Sequence, residues 1–414
     1  MPKVISKPIP GKPKPPKRPY PDFPLFPHAN GQWCKKIRGK QYHFGVWADP
    51  DAALKKYELQ RDDLHAGRKP RTSPDGLTVR ELANKFEQSK RHLRDTLEIA
   101  ARTYVDYFKA CKLIVDAFGT NRLVSDLGPD DFEALRVQMA KRCGPVRLAN
   151  EIQRVRAPFK YAFDQGLIDR PIRYGQSFNK PSKRVLRQTR QAAGKRMFEP
   201  SDIRAILGSA SPAMKAMTLL GINCGFGNTD VASLPLPALD LKAGWVNFPR
   251  PKTAIERRVR LWPETVKALK AAIAARPTAR SESDKELVFI TKYGKRWVRF
   301  DWSEGPAAEG EAPADARVDS VSLEFKKLLN LLGLKRKGLG FYALRHTFET
   351  VGGESIDQVA VDAIMGHAPA DHDMAARYRQ ELSDDRLKAV TDYVRKWLFA
   401  KAKPKAKRKS ERAA

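Results

Sequence analysis

The sequence predicts a multidomain chain: a small β-rich N-terminal module, an all-α domain of four helices, and a larger α+β domain. Three observations carry this. The 414 residues exceed one ordinary domain and suit two or three, each able to bury a core. Apolar residues keep a helical period from Leu77 to Tyr174, whereas from Met197 to Phe399 helical stretches alternate with strand-like ones. Segments with no apolar period, rich in Lys, Arg and Pro, fall between and outside these blocks. The expected partition is a basic Pro-rich tail at 1–27, a β-hairpin and helix module at 28–72, the helical domain at 76–175, a basic linker at 176–196, the α+β domain at 197–399 and a basic tail at 400–414.

In chain order, GQWCKKIRGKQYHFGVW reads as two strands around an Arg-Gly-Lys turn, followed by a helix entered through Asp49-Pro50. Thr78 and Glu81 form a capping box ahead of Val79, Leu82, Ala83 and Phe86. A second helix carries Tyr104, Val105, Phe108, Val115 and Phe118 and stops at Gly119. A third starts at Pro129, with Asp130 and Asp131 in its positively polarised first turn. A fourth aligns Leu148, Ile152, Val155, Phe159 and Phe163, and Pro158 inside it is expected to kink or split it. QSFNKPSKRVLRQTRQAAGKR contains no acid and reads as a flexible cationic linker. Beyond it come two helices, the strand-like GWVNFPRPK and ERRVRLW around a turn at Thr253-Ala254, a helix, a strand and further helices. EGPAAEGEAPADA reads as a disordered insertion.

A net charge of +31 points to a polyanionic partner, nucleic acid above all. Part of that excess lies in the tails, which serve as non-specific phosphate counterions, but the body between them is basic as well. Cys34, Cys111, Cys143 and Cys224 are far apart and form no CxxC pair, as for reduced thiols of a cytosolic protein. With no apolar leader and no stretch of membrane-spanning length, the expectation is a cytoplasmic, nucleoid-associated protein with no membrane partner.

Near the C-terminus, FYALRHT, IMGHAPADHD and MAARYRQ present Arg345, His367 and Tyr378 in that order. Transfer of a phosphodiester needs an in-line nucleophile, donors for the non-bridging oxygens and an acid for the leaving oxygen. A tyrosine supplies the first, and a guanidinium binds two phosphate oxygens at once, so no metal and no cofactor is called for. Tyr342 lies one helical turn before Arg345 and can point to the same side, while Leu344, Phe348 and Val351 face the core. Gly366 reads as the C-cap of DQVAVDAIM and puts His367 at a helix end. His367 with Asp371, His372 and Asp373 would be the basis of a metal-dependent nuclease, although that stretch reads as a polar loop.

This segment resembles the catalytic end of the tyrosine recombinases, the phage-integrase family, in which H-x-L-R-H, a Gly-His after a helix and a tyrosine occur in the same order. The resemblance runs from about 77 to 399. It implies a SAM-like four-helix core-binding domain, a catalytic domain, a 3′-phosphotyrosyl intermediate on Tyr378 and double-stranded DNA as partner, with a homotetramer on DNA and a monomer or weak oligomer when free. It also implies that Arg345 and His367 hold the phosphate, and that the terminal helix around Val390 to Phe399 docks on a neighbouring protomer. PRPKTAIERRVRLW resembles the family's K-T-x-x-x-R-x-V-P-L strand pair, which makes Lys252 the acid for the 5′ oxygen. The first module resembles an arm-DNA-binding module.

Two departures stand out. Tyr342 replaces the family's first histidine, and a phenol can keep a hydrogen bond but carries no cation at neutral pH. In MTLLGINCGFGNTDVASLPL the slot of the family's first arginine falls on Gly227, with Asp230 at the acidic position. Loss of one such donor costs about 10²–10³ in rate. Arg250, Arg257, Arg258 and Arg204 are the arginines that would have to reach the phosphate instead. The alternative is therefore a catalytically weak or inactive DNA-binding protein on the same fold. Candidate DNA contacts are Trp33, Lys35, Lys36, Arg38 and Lys40 on the hairpin, against a solvated hairpin whose Trp33, Tyr42 and Trp47 form a mini-core. Arg147, Arg154 and Lys160 flank the fourth helix, and Lys183 and Arg184 lie in the linker.

Overall fold

A computed structural model describes residues 15–67, 70, 76–301, 316–368 and 381–400. The chain divides into two compact units, Met1–Thr189 and Arg190–Ala414. In the first, β1 (Phe26–His28), β2 (Gln32–Ile37) and β3 (Lys40–Val46) form an antiparallel sheet in that order. The β2–β3 turn places Arg38 at φ 50° and Gly39 at φ 81°, the left-handed pair that a two-residue hairpin demands. Helix α1 (Pro50–His65) begins where Asp49 accepts from the Ala52 amide at 2.9 Å, with Pro50 in the first turn. Phe23, Trp33, Ile37, Phe44, Tyr57 and Leu64 close a core between sheet and helix. Trp33 is 1% exposed within it, so the mini-core reading holds for this residue and its ring cannot lie on a DNA groove.

Four helices follow: α2 (Val79–Asp95), α3 (Ala101–Phe118), α4 (Pro129–Arg142) and α5 (Pro145–Asp164). The capping box closes as expected, the Thr78 amide donating to Glu81 at 2.9 Å and the Glu81 amide to Thr78 at 3.2 Å. Phe118, Phe132, Phe159, Tyr174 and Phe178 meet edge-on, tilted or stacked in the core. α5 does not split at Pro158. Its ring is buried with Val155, Phe159 and Ala162, and packing outweighs the one main-chain hydrogen bond that proline removes. The expected linker carries a helix too, α6 (Lys183–Ala192), which buries no residue. Its run KRVLRQTRQA holds neither Gly nor Pro and is rich in good helix formers.

The second unit is built around α8 (Pro212–Asn223), buried nearly all round, with α7 (Pro200–Ser209) before it and the short α9 (Asn228–Ala232) after it. Strands β4 (Leu239–Asp240), β5 (Trp245–Asn247) and β6 (Arg258–Arg260) form an antiparallel sheet, leading to α10 (Pro263–Ala274). β7 (Val298–Asp301) pairs with β8 (Ala316–Asp319), and the Ala/Pro/Gly-rich insertion between them lies outside the described residues. Then come α11 (Ser320–Leu331), α12 (Ala343–Gly353), α13 (Gln358–Met365) and α14 (Asp384–Phe399). Leu344, Phe348 and Val351 of α12 face the core, and a Cβ on Gly221 of α8 would stand 2.9 Å from the Leu344 side chain. The terminal helix docks on its own unit: Leu387, Val390, Val394 and Leu398 are buried there, and the Trp262 indole donates to Thr391 O at 2.9 Å. Its apolar stripe is thereby used, which corrects the expectation of docking on a neighbour.

All four cysteines are free. Cys34 Sγ lies 2.8 Å from His43 Nδ1, with His28 beside it. Two ligands of one tetrahedral zinc, bonded at ~2.3 and ~2.0 Å, stand roughly 3.6 Å apart, so the contact is a thiol–imidazole hydrogen bond. Among the described residues no helix is long and apolar enough to cross a membrane.

Candidate active site

Arg345 emerges from the first turn of α12 and is 2% exposed. Its Nη1 donates to Gly225 O at 2.6 Å and its Nη2 to Met365 O at 2.8 Å. The first contact ties it to the loop after α8 and the second to the last turn of α13. Burial, and after it the charge of Arg250, hold the guanidinium below its usual range. Tyr342 stands at the N-terminal edge of α12, 46% exposed, its ring edge-on to His346 at 5.3 Å. His346 is itself held below its ordinary range by burial and by Arg196 and Arg345.

The Tyr342 ring also lies over Gly227, where an added Cβ would meet ring carbons at 3.1 and 3.2 Å and Asp230 Oδ2 at 3.3 Å. The two departures from the family pattern are therefore spatial neighbours. Asp230 accepts from the Gly227 amide at 2.6 Å and from Arg257 Nη2 at 3.1 Å. Arg257 is wholly buried, its guanidinium 4.3 Å over the Phe226 ring and its Nε donating to Phe248 O at 2.9 Å. Its Nη1 has no hydrogen-bond partner among the described residues. Burial pulls Arg257 below its usual range and Asp230 opposes that pull.

Gly366 ends α13 at φ 62°, ψ 42°, the left-handed cap anticipated from sequence. Only glycine fits there: a Cβ would come within 2.8 Å of the Arg257 Cδ and 3.0 Å of the Arg250 Cβ. Gly366 O accepts from Arg250 Nη1 at 3.1 Å and from Thr253 Oγ1 at 3.3 Å. The next residue, His367, has Nδ1 3.0 Å from Asp362 Oδ1 and 4.0 Å from Glu349 Oε2, which fixes one ring nitrogen and leaves Nε2 for another partner. Neither carboxylate was singled out from sequence. Asp362 lies five residues before the histidine on the helix that Gly366 ends, and that spacing was the available signal.

Lys252 sits exposed on the turn between β5 and β6, beside the Thr253 that bonds Gly366. Arg345 and His367 thus meet at the end of α13, Tyr342 stands one turn before Arg345, and the Lys252 turn is fastened to Gly366. Tyr378 lies outside the described residues, as do Asp371, His372 and Asp373. Of the four arginines that might replace the one missing at Gly227, Arg250 and Arg257 converge here. Arg258 is paired with Asp384 at 2.7 Å, and Arg204 donates to Leu398 O at 2.5 Å.

The candidate DNA contacts of the first unit are placed differently. Lys36 and Lys40 are exposed on the hairpin, Lys35 rests 4.7 Å over the Tyr57 ring, and Arg38 donates to His65 O at 3.4 Å. On α5, Arg154 binds Asp106 at 2.5 Å and Glu151 at 3.0 Å, Lys160 binds Asp164 at 2.7 Å and Arg147 lies 3.7 Å from Glu151. Lys183 and Arg184 are exposed on α6.

This α+β unit is similar to known proteins. The family model described as "Phage integrase family" matches residues 196–386. Among solved structures, the Tn1549 transposon integrase in complex with transposon right end DNA is 15% identical, with a TM-score of 0.53 over 76% of this chain and 99% of that one. A lambda integrase dimer bound to a COC′ core site is 15% identical, with a TM-score of 0.51 over 89% of this chain and 98% of that one. No curated protein matches the chain. The fold is that of the Tn1549 and lambda integrases, and residues 196–386 carry the match to the phage integrase family.

Proposed function

We propose that the protein is a site-specific recombinase that cuts and rejoins duplex DNA through a 3′-phosphotyrosyl intermediate. The observation that carries this reading is the meeting of Arg345 and His367 across the end of α13: Met365 O holds the guanidinium and His367 follows two residues later. Tyr378 Oη attacks the scissile phosphorus as it loses its proton, and the bond from phosphorus to the 5′ oxygen breaks. Lys252 gives a proton to that oxygen, while Arg345, His367 and Tyr342 hold the non-bridging oxygens. A 5′ hydroxyl from a partner strand then attacks the phosphotyrosine and gives its proton to Lys252, while the released tyrosinate regains from water the proton it had lost to water, so bond energy is conserved without a nucleotide cofactor. Lambda integrase has been seen as a tetramer bound to a Holliday junction. Four copies of this chain on two duplexes are the corresponding assembly, with the four-helix domain, the hairpin module and α6 as further DNA contacts.

The test uses a nicked duplex carrying a recognition site enriched by the full chain from a randomised pool. Wild type should form a covalent adduct that survives denaturation, and Tyr378→Phe should form none while still binding DNA. No adduct with wild type, or one that persists in Tyr378→Phe, overturns the proposal. Gly227 favours the rival reading of a DNA-binding protein without strand transfer, and absence of an adduct at full DNA affinity would establish it.

A further inference from the structure

A clamp with one guanidinium is short of charge, and the neighbourhood of Gly366 supplies a second. Met365 O and Gly366 O are consecutive carbonyls at the end of α13. The first holds Arg345 Nη2 at 2.8 Å and the second holds Arg250 Nη1 at 3.1 Å. Two guanidinium groups therefore sit side by side on the negative end of one helix. They are close enough that the charge of Arg250 ranks next to burial in holding Arg345 below its usual range.

Neither charge is paired directly with an acid among the described residues, and Asp230 and Glu349 offset that of Arg345 only in part. Among the described residues neither Arg250 nor Arg345 makes an ion pair with a carboxylate, whereas Arg257, Arg258, Arg386 and Arg395 each have one. Adjacent like charges without a neutralising group are unfavourable, and an anion with two acceptor oxygens relieves them. Arg257 does not meet the need. Its side chain has no exposed surface, and Asp230 cancels its charge at 3.1 Å. Arg250 is half-buried, with one Nη anchored and, among the described residues, no further side-chain hydrogen bond from the rest of its fork.

We propose that Arg250 is the second guanidinium of the phosphate clamp, taking the place of the side chain absent at Gly227. The proposal rests on the recombinase reading above. Arg250 touches one non-bridging oxygen and Arg345 the other, so the charge of the pentavalent state is shared as a two-arginine clamp would share it. Arg257, fixed on Asp230, donates to Phe248 O and so backs the segment after β5 from which Arg250 reaches out.

The test compares wild type, Arg250→Gln and Arg250→Lys as full chains on the enriched recognition duplex and on the same duplex with a neutral methylphosphonate at the scissile position. Arg250→Gln should lower the rate of adduct formation about 10²–10³-fold on phosphate. Its deficit against wild type should shrink at least tenfold on methylphosphonate, since the charge to be clamped is gone. Arg250→Lys should recover part of the rate, and unfolding midpoints should be unchanged. A merely structural role would lower both substrates alike, and that result, or a rate for Arg250→Gln within threefold of wild type, overturns the proposal. If wild type forms no adduct, the recombinase reading fails by itself and the binding arm decides for Arg250. Wild-type preference for phosphate over methylphosphonate should then vanish in Arg250→Gln, and its persistence rejects the assignment.

Discussion

On α5, Arg147, Arg154 and Lys160 each have a carboxylate within one helical turn, and Arg154 has a second on α3. Around Gly366, Arg345 and Arg250 are held by main-chain carbonyls instead. Both regions look equally basic in sequence. A carboxylate cancels a guanidinium charge, whereas a carbonyl orients the group and leaves the charge in place for a ligand. What marks an anion site is thus the chemistry of the partner and not the number of bases.

The comparison breaks first at Arg345. Arg345→Gln should lower adduct formation by about 10²–10³-fold or more, because a clamp donor is lost. Single-turnover adduct assays check this, and a rate within threefold of wild type would remove Arg345 from the clamp. Arg257 is the neutralised arginine of the same neighbourhood, and its loss should register in stability. Arg257→Leu leaves Asp230 buried without its partner and should cost roughly 3–5 kcal/mol in urea unfolding. A cost below about 1 kcal/mol would mean that the pair is not holding the Gly227 loop.

Smaller effects test whether exposed bases differ from paired ones. Replacing Lys183 and Arg184 together by alanine should reduce the slope of log K against log salt by about 2 in DNA titrations. Arg154→Ala should leave that slope unchanged within error, since its charge already faces Asp106 and Glu151. Equal slopes in both variants would erase the distinction. Smallest of all, Gly227→Arg should leave the adduct rate within about threefold. Its Cβ crowds the Tyr342 ring at 3.1 Å, and the charge it adds is one that Arg250 already provides. A gain of tenfold would speak against Arg250.

Local signals were legible wherever one residue's chemistry fixes the backbone. Asp49-Pro50, the Thr78–Glu81 box, Pro129 and Gly366 each stand at the helix end that sequence assigns them. Tertiary packing overrode local rules at Pro158 and turned Trp33 inward. Strands β1 and β4, three and two residues long, are too short to leave a period. Within the site, the order of Arg345, His367 and Tyr378 pointed to the reaction and to the fold. The convergence of Arg250 on Gly366 spans 116 positions and follows from where two carbonyls point, a fact that no spacing encodes. The same holds for Tyr342 over Gly227.

Gly366 O receives two donors from the β5–β6 turn, Arg250 and Thr253, on either side of Lys252. The turn and the end of α13 therefore share one oxygen as a fulcrum. At 3.1 and 3.3 Å these bonds have little slack, and a shift of half an ångström in either element strains both. The lysine turn and the end of α13 are geared together by two side chains of the turn on one main-chain oxygen, an acceptor that no side-chain substitution in α13 removes.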